Sequence, residues 1–279
     1  TTLFRSVQYV ATDDIAEAAF VVDTIQQYIT SRKASADDFA VMYRTNAQSR
    51  VIEEAFMHSS LPYRLIGAQR FYGRKEVKDM ICFLRLVENP SDEVSLLRII
   101  GVPPRGIGDK TISTLQMAAD KAGLSTGEVL LDLGKNGDAS AYWSQVGRSA
   151  ALVADFGAML SEWVSVRNSS SIVTLFDRIV TDIGYEEYVK AESEPNNDRW
   201  ENVQELRRLA YDFQERGLSE YLQNLALVSD QDTIPDNNED DAPDKIKGAV
   251  TLLTLHAAKG LEYNQVFIIG LDEGLLPHS

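Results

Sequence analysis

Along this chain the spacing of apolar positions changes twice, and the changes divide it into three stretches. In the first, short apolar runs alternate with helix-spaced ones. Leu3–Val10 alternates loosely and predicts a strand. From about Ile15 to Ser31, residues Ile15, Ala18, Ala19, Val22, Ile25 and Ile29 recur at helical spacing behind a capping-box pattern of Asp14 and Glu17. Phe39–Tyr43 predicts a strand, about Ala47 to His58 a helix, Ser59–Pro62 a turn and Tyr63–Ile66 a strand. A helix from Arg74 to Glu88 follows, with Val77, Met80, Ile81, Leu84 and Val87 inward, and Asn89-Pro90 ends it. Strand and helix in alternation predict a parallel sheet.

Between Asp92 and about Leu227 strand signals almost vanish. Val94–Ile100, Thr111–Ala122, Ala150–Val166, Ile172–Ile183 and Trp200–Gln214 are the clearest amphipathic helices, and Gly134–Ala139 has the composition of a surface loop. Ser229–Lys247 carries six aspartates, one glutamate, two asparagines and two prolines, the composition of a mobile linker. In the third stretch, Val250–Leu255 and Val266–Leu271 are apolar enough to be strands covered on both faces. The polar hinge between them, His256–Asn264, holds a helical turn but is short for a crossover helix. The expected architecture is an α/β domain over 1–88 and 248–279, interrupted by an all-helical domain over 89–247. Ligands of such sheets gather beyond the carboxyl ends of the strands, where Thr254, His256, Lys259, Gly260 and Glu262 fall.

Composition narrows the function. The 279 residues suffice for one large domain or two ordinary ones, and the 44% hydrophobic content supports a core without staples. The single cysteine, Cys82, excludes a disulfide framework and suits a reducing cytoplasm. Nothing approaches the roughly 18 apolar residues of a membrane span. The net charge of −15 argues against a general nucleic-acid sponge, so any DNA contact must be a local basic track. Positive residues do cluster, at Arg64, Arg70, Arg74, Lys75, Lys78 and Arg85, and again at Arg98, Arg105 and Lys110. There is no phosphate-binding G-x-x-x-x-G-K-[ST], no zinc spacing among Cys82, His58, His256 and His278, and no nucleophile elbow. No metal site and no complete catalytic set is expected from this chain alone.

Four segments carry a family resemblance. T-L-H-A-A-K-G-L-E-Y (254–263) resembles the fifth helicase motif of the UvrD/PcrA/Rep family of superfamily 1 ATP-dependent DNA helicases. A-V-M-Y-R-T-N-A-Q-S-R (40–50) resembles the family's entry into its second motor domain, R-F-Y-G-R-K-E-V-K-D (70–79) is similar to a further motif, and V-P-P-R-G-I-G-D-K-T (102–111) resembles the Gly-Ile-Gly turn of the domain inserted there. They occur in family order. The resemblance implies a RecA-like, P-loop NTPase-like second motor domain and a protein that moves 3′ to 5′ on single-stranded DNA and unwinds duplex in repair or replication. It implies ATP and Mg2+ in the intact enzyme, the first motor domain as a partner, and repair or transcription proteins as further ones. It also implies that this chain stops before the family's last motif and binds DNA weakly without hydrolysing ATP by itself.

Site residues follow from the same matches. Glu262 aligns with the position implicated in contacting the ATP ribose, and a carboxylate can accept from a sugar hydroxyl pair; a solvated acid beside a glycine turn is the alternative, and Gly260, at the same nucleotide site, allows a backbone turn or close approach. Thr254 and His256 align with the single-stranded DNA track, where hydroxyl and imidazole suit phosphate. A satisfied structural histidine is the alternative for His256. Lys259 is a phosphate contact or the positive end of a short helix. Arg44 and Asn46 match the DNA-touching entry motif, and Arg70 a basic DNA-contacting position. Phe71 and Tyr72 either stack on bases or pack into the core. Lys75 and Lys78 read as solvated charges, Lys75 pairing with Asp79 at i, i+4. In the turn at 101–111, Gly106, Ile107 and Gly108 offer accessible amides at a helix start, with Arg105, Lys110 and Thr111 as flanking donors to a duplex phosphate. An ordinary inter-helix turn is the alternative. Two other readings of the whole chain stand beside this one, a DNA- or protein-docking module and the motor part of a RecB/AddA-like helicase–nuclease.

Overall fold

The computed structural model describes residues 6–192, 198–232 and 248–272. Two compact units emerge, Thr1–Gly73 with Val228–Ser279, and Arg74–Leu227. The expected boundary after residue 88 falls one helix later than this division. That helix belongs with the helical unit because its buried face packs on other helices there.

The first unit is built on a four-stranded sheet of β1 (Phe39–Tyr43), β2 (Tyr63–Ile66), β3 (Val250–Thr254) and β4 (Gln265–Ile268). All pairings are parallel and the strand order is β2-β3-β1-β4, so strands from the two ends of the sequence interleave in one sheet. β1 and β3 are central, which accounts for their unbroken apolar runs. One face carries Phe39, Val41, Tyr43, Val250 and Leu252 against α1 (Asp14–Thr30) and α2 (Ser49–His58), through Val21, Val22, Ile25, Ile52 and Phe56. The opposite face, with Ala40, Met42 and Leu253, is covered in part by the hinge residues Leu255, Ala257, Ala258 and Tyr263.

Several local expectations change. Ser6–Val10 has no strand structure, and the rest of that predicted strand lies outside the described residues. The cap of α1 is Asp13, whose carboxylate accepts from Ala16 N–H at 2.7 Å; Glu17 instead accepts the N–H of Gly270 at 3.1 and 3.2 Å. β4 ends at Ile268, short of the expected Leu271. The acidic linker falls almost wholly outside the described residues.

Among the described residues the secondary structure of the second unit is helical: α3 (Lys75–Glu88), α4 (Glu93–Ile99), α5 (Asp109–Ala122), α6 (Thr126–Asn136), the short α7 (Trp143–Val146), α8 (Ala150–Val166), α9 (Ile172–Asp182), α10 (Tyr185–Glu192) and α11 (Asp198–Leu209). A last helix, α12 (Leu218–Asp232), begins in it. Trp163 is the centre of its core, edge-on to Phe83 and Phe156 at 6.2 and 6.3 Å, with its indole N–H on Asp182 at 2.7 Å. The expected loop at 134–139 is instead the end of α6 and a tight turn. Gly134 belongs to the helix because α6 and α8 cross there in backbone contact: a Cβ on Gly134 would sit 2.2 Å from the carbonyl carbon of Gly157.

Candidate nucleic-acid interface

Parallel strands end together, so the segments following β1, β2 and β3 meet at one edge of the first unit. After β1 the chain turns through a short 3-10 segment into α2. The Gln48 side-chain oxygen accepts the N–H groups of both Arg44 and Thr45 at 2.9 Å, which fixes the backbone where Arg44 leaves the sheet. Its amide also lies where a Cβ on Gly270 would be, and Gly270 takes φ +67°. After β3, Leu255 N–H still bonds the carbonyl of Tyr43 at 2.8 Å, bringing the two strand ends side by side.

This register sets Arg44 against His256. One guanidinium nitrogen, Nη1, lies 2.9 Å from Nδ1 and 3.2 Å from Nε2 of the imidazole. A guanidinium only donates, so the ring accepts. Thr254, half-buried at the end of β3, accepts Ala257 N–H on its hydroxyl at 3.2 Å and still has a proton to donate. Asn46 is half-buried in the turn beside them. Lys259 and Gly260 are exposed in the following turn, with Gly260 at φ +89°, a conformation that a side chain disfavours. The structure thus gathers Arg44, Thr254 and His256 at one edge, with Asn46 next to Thr45 and Lys259 one turn beyond.

Other expected residues stand apart. Glu262 is exposed but lies on the return of the hinge, two residues before Asn264, whose amide donates to Asp38 at the amino-terminal end of β1 at 2.6 Å. Arg70 stacks its guanidinium 5.3 Å from the Tyr63 ring centroid. Phe71 is 1% exposed, edge-on to Tyr72 at 5.1 Å, and its N–H donates to Glu53 at 3.2 Å. The expectation of a base stacked on Phe71 is corrected: an aromatic pair following Arg70 reads alike whether it faces a ligand or the core, and here Tyr72 also reaches Glu54 at 2.7 Å to close the packing. Lys75 pairs with Glu192 at 2.9 Å and Tyr188 at 3.0 Å, while Asp79 pairs with Arg98 at 2.7 Å.

In the helical unit, residues 100–108 turn the chain from α4 into α5. Gly106 sits at φ +76° and is exposed; Gly108 caps α5 and its carbonyl accepts from Thr111 and Ile112 at 2.9 and 3.1 Å. The first amides of α5 therefore face outward at its positive end, with Lys110 exposed beside them. Three side chains of the turn face the protein. Ile107 is buried, Thr111 donates its hydroxyl to Ser149 at 3.1 Å, and Arg105 turns inward over the ring of Phe156 at 4.4 Å. Burial pushes the Arg105 guanidinium down to about 10, which still leaves it charged at neutral pH. Sequence reasoning missed Gln48, whose side-chain role has no local signature beyond Thr45 three positions earlier.

Among the described residues no group of His, Cys, Asp and Glu is placed to hold a metal ion, and no helix is long and apolar enough to cross a membrane. The Cys82 thiol is half-buried, and burial raises its pKa.

Comparison with known proteins gives a consistent result. A family model described as the UvrD-like helicase C-terminal domain matches residues 6–279. The ATP-dependent DNA helicase PcrA of Bacillus subtilis (strain 168) is 36% identical over 276 residues, covering 97% of this chain and 36% of the relative. The PcrA helicases of Staphylococcus epidermidis and Staphylococcus aureus are 34% identical over 280 residues, with the same coverage. The chain thus spans little more than a third of the length of these curated relatives.

Proposed function

As this chain belongs to the UvrD-like helicase C-terminal domain family, we propose that it is the second motor domain, with its inserted helical domain, of an ATP-driven DNA helicase. The observation that carries the reading is the Arg44–His256 pair, set at the carboxyl edge of the sheet by two strands distant in sequence. In this proposal Arg44, Asn46, Thr254, His256 and Lys259 grip the phosphate backbone of single-stranded DNA. The exposed amides around Gly106 and Gly108, with Lys110, hold duplex. None of these groups is arranged to read bases, which suits a protein that travels along any sequence.

ATP would be shared with a first motor domain, which would hold the phosphates and Mg2+. The residues of this chain suit the nucleoside end of the nucleotide. Glu262 can accept from ribose hydroxyls, and Gly260 lets the backbone approach. ATP-driven closure and reopening of the two motor domains would then alternate the grip on the strand, in the 3′ to 5′ direction.

The test is binding of a single-stranded oligonucleotide, followed by fluorescence anisotropy over a salt series. Removing one phosphate contact by Arg44→Ala should lower affinity and flatten the salt slope by about 0.7. Unchanged affinity and slope in both Arg44→Ala and His256→Ala would rule out this edge as the track.

A further inference from the structure

The turn between α4 and α5 contains a cation that faces the protein. Arg105 donates from Nε to the carbonyl of Pro103 at 3.3 Å and from Nη2 to the carbonyl of Val102, both within its own turn. Its guanidinium carbon lies 4.4 Å from the centroid of Phe156, a fully buried ring of α8. Nη1 is buried, with no hydrogen-bond partner among the described residues. These contacts hold the guanidinium against the protein and not out towards an external phosphate.

We infer that Arg105 is a positioning residue: held against Phe156, it ties down the carbonyls of Val102 and Pro103 and so sets the amides of Gly106 to Gly108 from inside. The neighbouring geometry is tight. Gly106 holds φ +76°, Ile107 is buried immediately after it, and the carbonyl of Ile107 lies 3.2 Å from where a Cβ on Gly101 would stand. A Cβ on Gly106 would come within 2.9 Å of the Leu152 side chain, so α8 closes on the turn from that side too. Two carbonyl bonds and a stacked plane are a match for the guanidinium fork and not for an ammonium. The charge is retained in the strut, but the geometry does the holding.

This rests on the proposal that the turn binds duplex phosphate, and the experiment separates the two. Arg105→Lys, Phe156→Leu and Lys110→Ala would be compared in the whole chain for duplex and single-strand affinity over a salt series, for thermal stability, and for amide exchange at Gly106–Gly108 without DNA. Arg105→Lys should lose about tenfold in duplex affinity despite keeping its charge, and Phe156→Leu should do the same while removing none. Single-strand affinity should stay unchanged for both. Lys110→Ala should instead flatten the duplex salt slope by about 0.9. In the absence of DNA, exchange at Gly106–Gly108 should quicken in Arg105→Lys and Phe156→Leu and not in Lys110→Ala. Arg105→Lys binding duplex like the unaltered chain while Arg105→Ala does not would show a direct phosphate contact and overturn the inference. So would unchanged exchange at the turn. If the unaltered chain binds no duplex, the phosphate reading fails and the exchange measurement alone decides the strut.

Discussion

At the scale of single residues, orientation is what sequence conceals. Phe71 and Arg105 carry the aromatic and cationic chemistry of nucleic-acid contacts, yet one is buried edge-on to Tyr72 and the other lies over Phe156. Arg44 was legible as a candidate through the family motif it matches, and His256 also because it follows an apolar run, but their contact across 212 positions depends on strand register. Phe71→Leu should therefore lower stability by about 1 kcal/mol through lost packing while leaving single-strand affinity unchanged in protein that remains folded. A loss of affinity exceeding the loss of folded protein would restore the stacking role. Asp79 gives a pH-dependent case. Burial raises its pKa despite Arg98 at 2.7 Å, so the native state holds the proton more tightly than the unfolded chain does. Its contribution is then full below the ordinary value of 3.8 and lost as pH rises through the native value. Asp79→Asn should accordingly cost more stability in acid, near pH 3.8, than at neutrality. Denaturant titrations at both values check this, and the reverse order would refute it.

Among the elements, those with strong periodicity appear where the apolar spacing placed them. β1, β2 and α8 match the expected bounds, and α3 begins one residue late because Arg74 is its cap. Polar or glycine-bearing helices were harder to read. α6 contains Gly127 and Gly134, which local propensity assigns to turns, but tertiary contact overrides that preference. Replacing a glycine inside a helix by alanine ordinarily gains about 1 kcal/mol. At Gly157 a Cβ would stand 2.2 Å from the carbonyl oxygen of Leu130, so backbone must move and the sign should reverse. Gly157→Ala should lower stability by about 2 kcal/mol, visible by circular dichroism as earlier melting of the helical signal. A raised melting temperature would mean that α6 and α8 do not cross this closely.

For the molecule as a whole, the sequence revealed an α/β pattern that stops and resumes, and the interleaved strand order β2-β3-β1-β4 is its structural counterpart. The exact break was not legible, since α3 is amphipathic in either unit and only its partners, α4, α8 and α11, assign it to the helical one. With Trp163, Phe83, Phe156, Tyr185 and Phe176 all buried, residues 74–227 carry a core of their own. That segment should fold alone with a cooperative helical transition; a non-cooperative melt would show that its core is incomplete. The central claim, that the Arg44–His256 edge holds a single strand, is tested most directly by amide hydrogen exchange of the chain with and without a short oligothymidine. Exchange should slow in the segments covering Arg44–Gln48 and Thr254–Gly260. Saturated binding that leaves both segments exchanging at their free rate would contradict it.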